Sequence, residues 1–301
     1  MQLGMIGLGR MGANMARRLH RDGHEVAGFD PSPEARAALA ADGIATEDTA
    51  ELLVERSGTP RALWMMVPAG AVVDATIATL RPLLSAGDVL IDGGNSFYRD
   101  SQRRAAELRE AGIAYVDVGT SGGIWGLDEG YSLMVGGDAD AATALAPLFR
   151  SLAPSPERGW AHVGPSGAGH YAKMIHNGIE YGMMQAYAEG FAILERRPEL
   201  VSDIAGLAEL WRHGSVVRSW LLDITAAALA ENPTLDGIAP WVPDSGEGRW
   251  TVAEAIELDV PAPVITQSLI ERLRSRQDNA YADRMLAAMR AGFGGHGVKP
   301  R

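Results

Sequence analysis

Five polar residues fall on one face of a predicted helix: Lys173, His176, Asn177, Glu180 and Tyr181. Their spacing of i, i+3, i+4, i+7 and i+8 follows the helical period. A solvated helix face ordinarily carries Lys and Glu. It seldom carries His, Asn and Tyr interleaved with glycines among Met174, Ile175, Ile179, Met183 and Met184. Gly178, Gly182 and Gly190 each cost about 1 kcal/mol relative to alanine in a helix interior, which is tolerated where another backbone or a ligand approaches closely. A lysine among apolar groups beside a cationic partner has its pKa lowered toward neutrality, as a general base requires. A glutamate one or two turns along the same face can serve as a separate acid. The set reads as the wall of a site equipped for two proton transfers.

The element that must carry this face runs from about Ser166 to Arg197, with Pro165-Ser166 as its start and Pro198 as its stop. What precedes it alternates between strands and helices, as a parallel sheet requires. Leu3–Ile6 is a short buried-strand pattern that runs into Gly7-Leu8-Gly9-Arg10-Met11-Gly12 and a helix from Ala13 to about Arg21. The next strand, Val26–Phe29, ends at Asp30. This is the G-x-G-x-x-G turn in its strand–turn–helix setting, with an acid at the end of the second strand. It predicts a dinucleotide site, where backbone amides and the helix dipole meet a pyrophosphate. Asp30 can accept from ribose hydroxyls and repels a 2′-phosphate, and no Arg or Lys follows it directly, so NAD is favoured over NADP.

Further strand patterns end in Val67-Pro68-Ala69, in Gly94-Asn95-Ser96 and in Ser121-Gly122-Gly123, and helices are predicted from Ala71 to about Leu84, from about Arg99 to Glu110 and from Ala139 to about Leu152. Ligands of such sheets sit at the carboxyl ends of strands, and consecutive glycines with a serine form an N–H concavity suited to a carboxylate or phosphate. After Pro198 the pattern is helical, with breaks at Pro233, Pro240, Pro243 and Pro261, and the glycines beyond Arg290 read as a mobile tail. The expected organisation is an α/β dinucleotide-binding (Rossmann-type) domain with a mostly parallel sheet over residues 1–164, then an all-α domain over 165–301.

Composition sets outer limits. The 301 residues are 47% apolar and 22% charged, with a formal charge of −11. That balance argues against nucleic acid and anionic membrane as general partners, but not against a small anionic ligand held by a local cluster of donors. With no cysteine there is no disulfide, thiolate metal site or cysteine nucleophile, and no metal is expected. No apolar segment approaches the ~20 residues that span a bilayer, and the N-terminus lacks the pattern of a signal peptide. A cytoplasmic protein is expected.

These motifs resemble the decarboxylating 6-phosphogluconate dehydrogenases of the short, NAD-preferring bacterial kind. The resemblance rests on the Gly7–Gly12 turn, Asp92-Gly93-Gly94-Asn95-Ser96, Gly119-Thr120-Ser121-Gly122-Gly123, Lys173-Met174-Ile175-His176-Asn177-Gly178-Ile179-Glu180-Tyr181, Trp250-Thr251 and the tail spacing Arg290 to His296. It covers essentially the whole chain, and the Lys-x-x-His-Asn-x-x-Glu-Tyr helix is far more specific than the first glycine motif.

The resemblance implies that Lys173 is the base that takes the hydroxyl proton and that Glu180 later protonates the enol. It implies cofactor contacts from Gly7, Leu8, Gly9, Arg10, Met11, Gly12, Asp30, Val67, Pro68, Ala69 and Asn95. It implies substrate contacts from Asn95, Ser121, Gly122, Gly123, His176, Asn177 and Tyr181, with Arg272, Arg290 and His296 on the phosphate side. The implied reactants are NAD and a sugar-acid phosphate, and the implied assembly is a homodimer or homotetramer. The chain departs from the larger members in lacking their substrate-side loop lysine near Asp244–Trp250, with Arg249 as one stand-in, and their second helical repeat.

Two other readings start from the same residues. A 3-hydroxyisobutyrate- or tartronate-semialdehyde-type dehydrogenase shares the Ser-Gly-Gly turn and the Lys173/Asn177 spacing, without needing the His176/Glu180 pair. A non-catalytic NAD-binding sensor needs neither Lys173 nor Glu180. The role given to Asp30 is testable directly: Asp30→Ala is expected to weaken NAD more than NADP when both dissociation constants are measured, and an unchanged preference would remove Asp30 from the specificity argument.

Overall fold

The computed structural model describes residues 1–278 and 280–294. Contacts divide the chain into two compact units, Met1–His176 and Asn177–Arg301.

The described residues of the first unit form one eight-stranded sheet: β1 (Gln2–Ile6), β2 (Glu25–Phe29), β3 (Ala45–Thr46), β4 (Ala62–Met65), β5 (Val89–Asp92), β6 (Ala114–Ser121), β7 (Ser132–Gly136) and β8 (Trp160–Gly164). Their order is β3-β2-β1-β4-β5-β6-β7-β8. Neighbours from β3 to β6 pair in parallel, β6 with β7 antiparallel, and β7 with β8 in parallel again. The order reverses between β1 and β4, the switch point where doubly wound sheets open a ligand crevice.

Register explains why the strands read as unbroken apolar runs. Met5, Trp64, Ile91 and Val116 lie side by side in one row and belong to one core. Leu63, Leu90 and Tyr115, one residue back, form the next row and belong to the other. Successive side chains point to opposite faces, so a sheet covered on both sides must be apolar at every position.

Sequence expectation and structure part in a few places. The expected helix from Ala139 to Leu152 is two, Ala139–Ala144 and Ala146–Leu152; Pro147 has no N–H to continue the first and is suited to the first turn of the second. Strand β3 and the helix Ala50–Arg56, capped by the Thr49 hydroxyl on the Leu52 amide at 3.2 Å, were not legible as periodic patterns. The mobile tail expected from Gly292 onward starts inside a helix, Tyr281–Gly294, which carries Arg290. Arg284-Met285-Leu286-Ala287-Ala288-Met289-Arg290 is a run of strong helix formers, and the glycines lie at its end.

The long helix, Ala168–Glu195, is tied to the sheet by Asp117 of β6. That carboxylate is fully buried and accepts the amides of Gly167 at 2.6 Å and His170 at 2.9 Å. It thereby supplies the anionic cap that the helix N-terminus favours. The helix also lies unusually close to the strand. A Cβ on Gly119 would sit 2.4 Å from the Lys173 Cβ and 2.6 Å from the Gly169 carbonyl oxygen, and one on Gly169 would meet the carbonyl oxygens of Asp117 and Met134 at 2.4 Å.

The second unit holds the rest of the long helix and the helices Ile204–Trp211, Trp220–Glu231, Glu247–Glu257, Pro263–Arg274 and Tyr281–Gly294. Ala208, Ala226 and Leu229 form its buried cluster, with Phe191 and Ile204 against it. Gly178 and Gly182 make room for neighbouring helices: a Cβ there would lie 2.7 Å from Thr251 Cγ2 and 3.3 Å from Val264 Cγ1, whereas one on Gly190 would meet nothing within 4 Å. Gly119→Ala is expected to destabilise the protein by about 1–3 kcal/mol through overpacking, whereas Gly190→Ala should stabilise it by up to about 1 kcal/mol. Denaturant midpoints of the two variants read both, and a Gly119→Ala protein as stable as its parent would mean that the helix is not held at this contact.

Candidate functional site

The glycine turn is built as its spacing requires. Gly7 leaves β1 at φ 91° and donates its amide to the Phe29 carbonyl at 2.8 Å. Gly12 lies so close behind it that a Cβ would be 2.0 Å from the Gly7 oxygen, while Gly9, the residue that caps the helix Arg10–Arg21, has open space on its outer side. Leu8 turns its side chain into the core, and Arg10 and Met11 begin the helix. Asp30 braces the turn, with one carboxylate oxygen accepting the Leu8 amide at 2.7 Å and the other the Ser32 amide at 2.9 Å.

Beside this turn, at the switch point, opens a crevice of about 670 Å³. Of the predicted cofactor residues, Gly7, Gly9, Asp30, Val67 and Pro68 line it; Leu8, Arg10, Met11, Gly12, Ala69 and Asn95 do not. Further lining groups escaped sequence reasoning: Asp48 and Thr49 lie before the helix Ala50–Arg56, Glu51 lies in its first turn, and the hydroxyls of Thr76 and Thr79 lie on the helix Ala71–Leu80. Asp30, Asp48 and Glu51 put three carboxylates on the walls, and among the described lining residues there is no Lys or Arg. Such a wall accepts ribose hydroxyls and opposes a 2′-phosphate.

The next strand end is organised by Asp92, which is fully buried. It accepts from the Ser96 hydroxyl at 2.7 Å, the Tyr115 hydroxyl at 2.7 Å and the Gly94 amide at 3.1 Å, and Arg104 lies at 3.6 Å. The turn so fixed presents Asn95 to solvent. Burial works against the charge of Arg104, but its hydrogen bond to Asp74 and the charge of Asp92 outweigh it and raise its pKa. That bond in turn holds Asp74 down to about 2. Burial and Asp92 together push the Tyr115 phenol well above its ordinary value. At the end of β6, Ser121 leads into Gly122 and Gly123 at φ 141° and 54°. Lys173, only 7% exposed, stands beside Gly119 of the same strand, and His176 is half-buried one turn on.

In the second unit Asn177 is buried, and Glu180 and Tyr181 are half-buried. The Arg272 guanidinium lies 3.8 Å from the centre of the Tyr181 ring, so two of the predicted substrate residues are brought into a cation–π stack. Burial raises the Tyr181 phenol; the Ser245 hydroxyl and the Arg272 charge counter this. Arg290 lies on the helix Tyr281–Gly294. His296 lies outside the described residues.

The NAD-binding domain profile of 6-phosphogluconate dehydrogenase matches residues 2–164, and the profile of that enzyme's C-terminal domain matches residues 169–298. The chain belongs to the 6-phosphogluconate dehydrogenase family. The NAD(+)-dependent, decarboxylating 6-phosphogluconate dehydrogenase of Haloferax volcanii is 47% identical over 300 residues, 99% of this chain and 98% of that one. Among solved structures, 6-phosphogluconate dehydrogenase of Plasmodium falciparum superposes with a TM-score of 0.84 at 28% identity, covering all of this chain and 66% of that one. A 3-hydroxyisobutyrate dehydrogenase of Salmonella typhimurium, with a TM-score of 0.73 at 23% identity over 97% of this chain and 95% of that one, shares the fold.

Within this 6-phosphogluconate dehydrogenase family member, the loop before the helix Glu247–Glu257 and the first turn of that helix are tied to the Arg272 helix. Arg272 donates to the Pro243 carbonyl at 2.8 Å. Asp244 takes Arg249 at 2.5 Å and Arg276 at 3.5 Å, so Arg249, the stand-in for the missing lysine, is engaged in an ion pair. Glu247 begins the helix Glu247–Glu257 and is 2% exposed. It accepts a hydrogen bond from the Ser245 hydroxyl, which lies 3.4 Å from the Tyr181 hydroxyl. Nothing in the sequence marked this acid, because a glutamate at a helix start is ordinarily solvated.

Burial opposes ionisation of Asp244, but the Arg249 hydrogen bond, the Gly246 amide and the Arg276 charge outweigh it and hold its pKa below the ordinary 3.8. The carboxylate's contribution is therefore complete above that value and is lost as pH falls through the lowered one. Asp244→Ala is expected to lower protection of 243–249 against hydrogen exchange by about 1.5–3 kcal/mol at neutral pH, with the difference from the parent vanishing in acid. Equal protection at neutral pH would show that the loop is held otherwise.

Proposed function

We propose that this protein catalyses NAD-dependent oxidative decarboxylation of 6-phosphogluconate to ribulose 5-phosphate and carbon dioxide. The observation that carries the reading is one helix with a buried lysine, Lys173, and a half-buried glutamate, Glu180, two turns apart. Seven residues are about 10 Å of helix rise and bring the two side chains back to one face, which keeps the groups aligned but chemically separate.

In this reading the Lys173 amine takes the proton from the hydroxyl on the carbon being oxidised. NAD, held by the glycine turn and Asp30, would supply the acceptor for the hydride leaving that carbon. The β-keto acid loses carbon dioxide, and the Glu180 carboxyl protonates the carbon of the enol. Asn95, Ser121, Gly122, Gly123, His176, Asn177 and Tyr181 hold the polyol and carboxylate, and Arg272, Arg290 and His296 hold the phosphate. The glycine turn Gly7–Gly12, Asp30, Val67, Pro68, Ala69 and Asn95 hold the dinucleotide, and the three carboxylates of the crevice support NAD over NADP. The same reading assigns residues 1–164 to the cofactor and 165–301 to substrate and assembly. Ile193, Ile256 and Val264, exposed at 70%, 73% and 68%, support burial in a homodimer or homotetramer. No helix among the described residues is long and apolar enough to cross a membrane, and the reading takes the protein to be cytoplasmic, with no role for nucleic acid or membrane.

The test is release of NADH and carbon dioxide from 6-phosphogluconate, with NAD and NADP compared. Lys173→Met is expected to reduce turnover by at least about 10²–10⁴-fold, the usual contribution of a positioned general base, while leaving NAD affinity unchanged. Normal turnover in that variant excludes Lys173 as the base, and oxidation of 3-hydroxyisobutyrate without carbon dioxide from 6-phosphogluconate overturns the reading as a whole.

A further inference from the structure

The crevice wall carries a carboxylate that the glycine motif does not use and that the reading above counts only for its charge. Asp48 follows β3 and lines the crevice together with Asp30. Its side chain is 83% exposed, and it holds the NH2 nitrogen of Arg36 at 3.0 Å. It does not cap the helix that follows, a duty Thr49 performs. Arg36, on the helix Pro33–Ala41, is only 16% exposed. Its NH1 nitrogen donates to the carbonyl of Asp30 at 2.8 Å and to that of Pro31 at 3.3 Å. A guanidinium thus stands directly behind the residue expected to meet the adenosine ribose, yet Arg36 is not among the residues that line the crevice.

We propose that Asp48 is a second determinant of NAD over NADP, acting by pinning Arg36 away from the position a 2′-phosphate would occupy. The proposal rests on the reading of the crevice as the dinucleotide site. Arginine is the side chain best matched to a phosphate, because its N–H groups lie in a fixed fork. Here one end of the fork is committed to two backbone carbonyls and the other to Asp48. The carbonyl bonds hold the guanidinium near the end of β2, and the Asp48 bond turns its remaining nitrogen toward β3. Releasing that nitrogen leaves a cation anchored beside the ribose with donors to offer. Asp48 also adds a negative charge of its own to the wall. At 83% exposure water screens that repulsion and the attraction within the pair alike, so Asp48 acts chiefly by orienting Arg36, whose side chain is only 16% exposed. One carboxylate therefore withholds the cation that NADP would need and leaves a second acid beside Asp30.

The experiment compares full-length protein, Asp48→Ala, Asp48→Leu and the double variant Asp48→Ala/Arg36→Ala. Calorimetry with AMP and with adenosine 2′,5′-bisphosphate reads binding without turnover, and kcat/KM with NAD and NADP reads it in the reaction. Both single variants should shift the preference toward the 2′-phosphorylated ligand by about tenfold, about 1.4 kcal/mol, and the double variant should lose that gain. An unchanged preference in both single variants overturns the proposal, as does a gain that survives removal of Arg36. Failure of AMP to bind the parent protein would instead remove the cofactor reading of the crevice, and the proposal with it.

Discussion

The buried carboxylate of Asp117 is the point on which the rest depends. It lies on the central part of β6 and accepts two amides from the start of the long helix. A carboxylate without water is tolerated only where hydrogen bonds replace hydration, and here the helix N-terminus supplies them together with its dipole. The glycines around it follow from this contact. A Cβ on Gly136 would stand 2.7 Å from both Asp117 oxygens, and one on Gly169 would strike the β6 and β7 backbones. The sheet, the cap and the missing side chains form one joint. The position of Lys173 is its consequence, since Lys173 lies one turn beyond the capped amide of His170 and against Gly119 of the same strand.

The same device recurs at other strand ends of the first unit. Asp30 takes two amides and holds the glycine turn against the end of β2. Asp92 takes a hydroxyl, a phenol and an amide and fixes the turn that carries Asn95. In each case an acid at the carboxyl end of a parallel strand braces the loop that follows it. Loops at these ends carry the ligand contacts of doubly wound sheets, and their backbone amides must be satisfied within the loop or by the ligand. A carboxylate with two oxygens can do the first and leave neighbouring amides for the second. Asp92 and Asp117 are thus structural, and Asp30 braces the turn at the crevice it lines.

What the sequence could reveal follows from this physics. The Gly7–Gly12 turn, the strand ends and the Lys173–Tyr181 face were legible because period and residue type are local properties. The α/β-then-α order was legible for the same reason. Asp48 was not, because β3 is two residues long and leaves no alternation to read, so the loop that follows it has no place in a sequence pattern. Glu247 was not, because its burial is set by packing within the helical unit rather than by its neighbours in the chain. The break at Leu145 was legible in principle from Pro147. The helix through Arg290 was obscured by glycines whose effect on a helix end is small. Residues 295–301, with His296, lie outside what the structure describes.

The glycines of the long helix separate two explanations that residue types alone leave open. Gly169 serves the strand, Gly178 serves Thr251 of the helix Glu247–Glu257, and Gly182 serves Val264 of the helix Pro263–Arg274. Each substitutes a backbone-to-side-chain or backbone-to-backbone contact for a side chain, so the spacing reflects packing partners rather than ligand approach. Gly190, with nothing near its missing Cβ, is the exception, and its helix-propensity cost has no compensation among the described residues. Within the second unit the helix cannot slide along its axis without breaking the contacts at both Gly178 and Gly182, because ridges and grooves repeat only at whole turns. The register of the helix is thus set separately within each unit, by Gly169 against the strands in the first and by Gly178 and Gly182 against the neighbouring helices in the second.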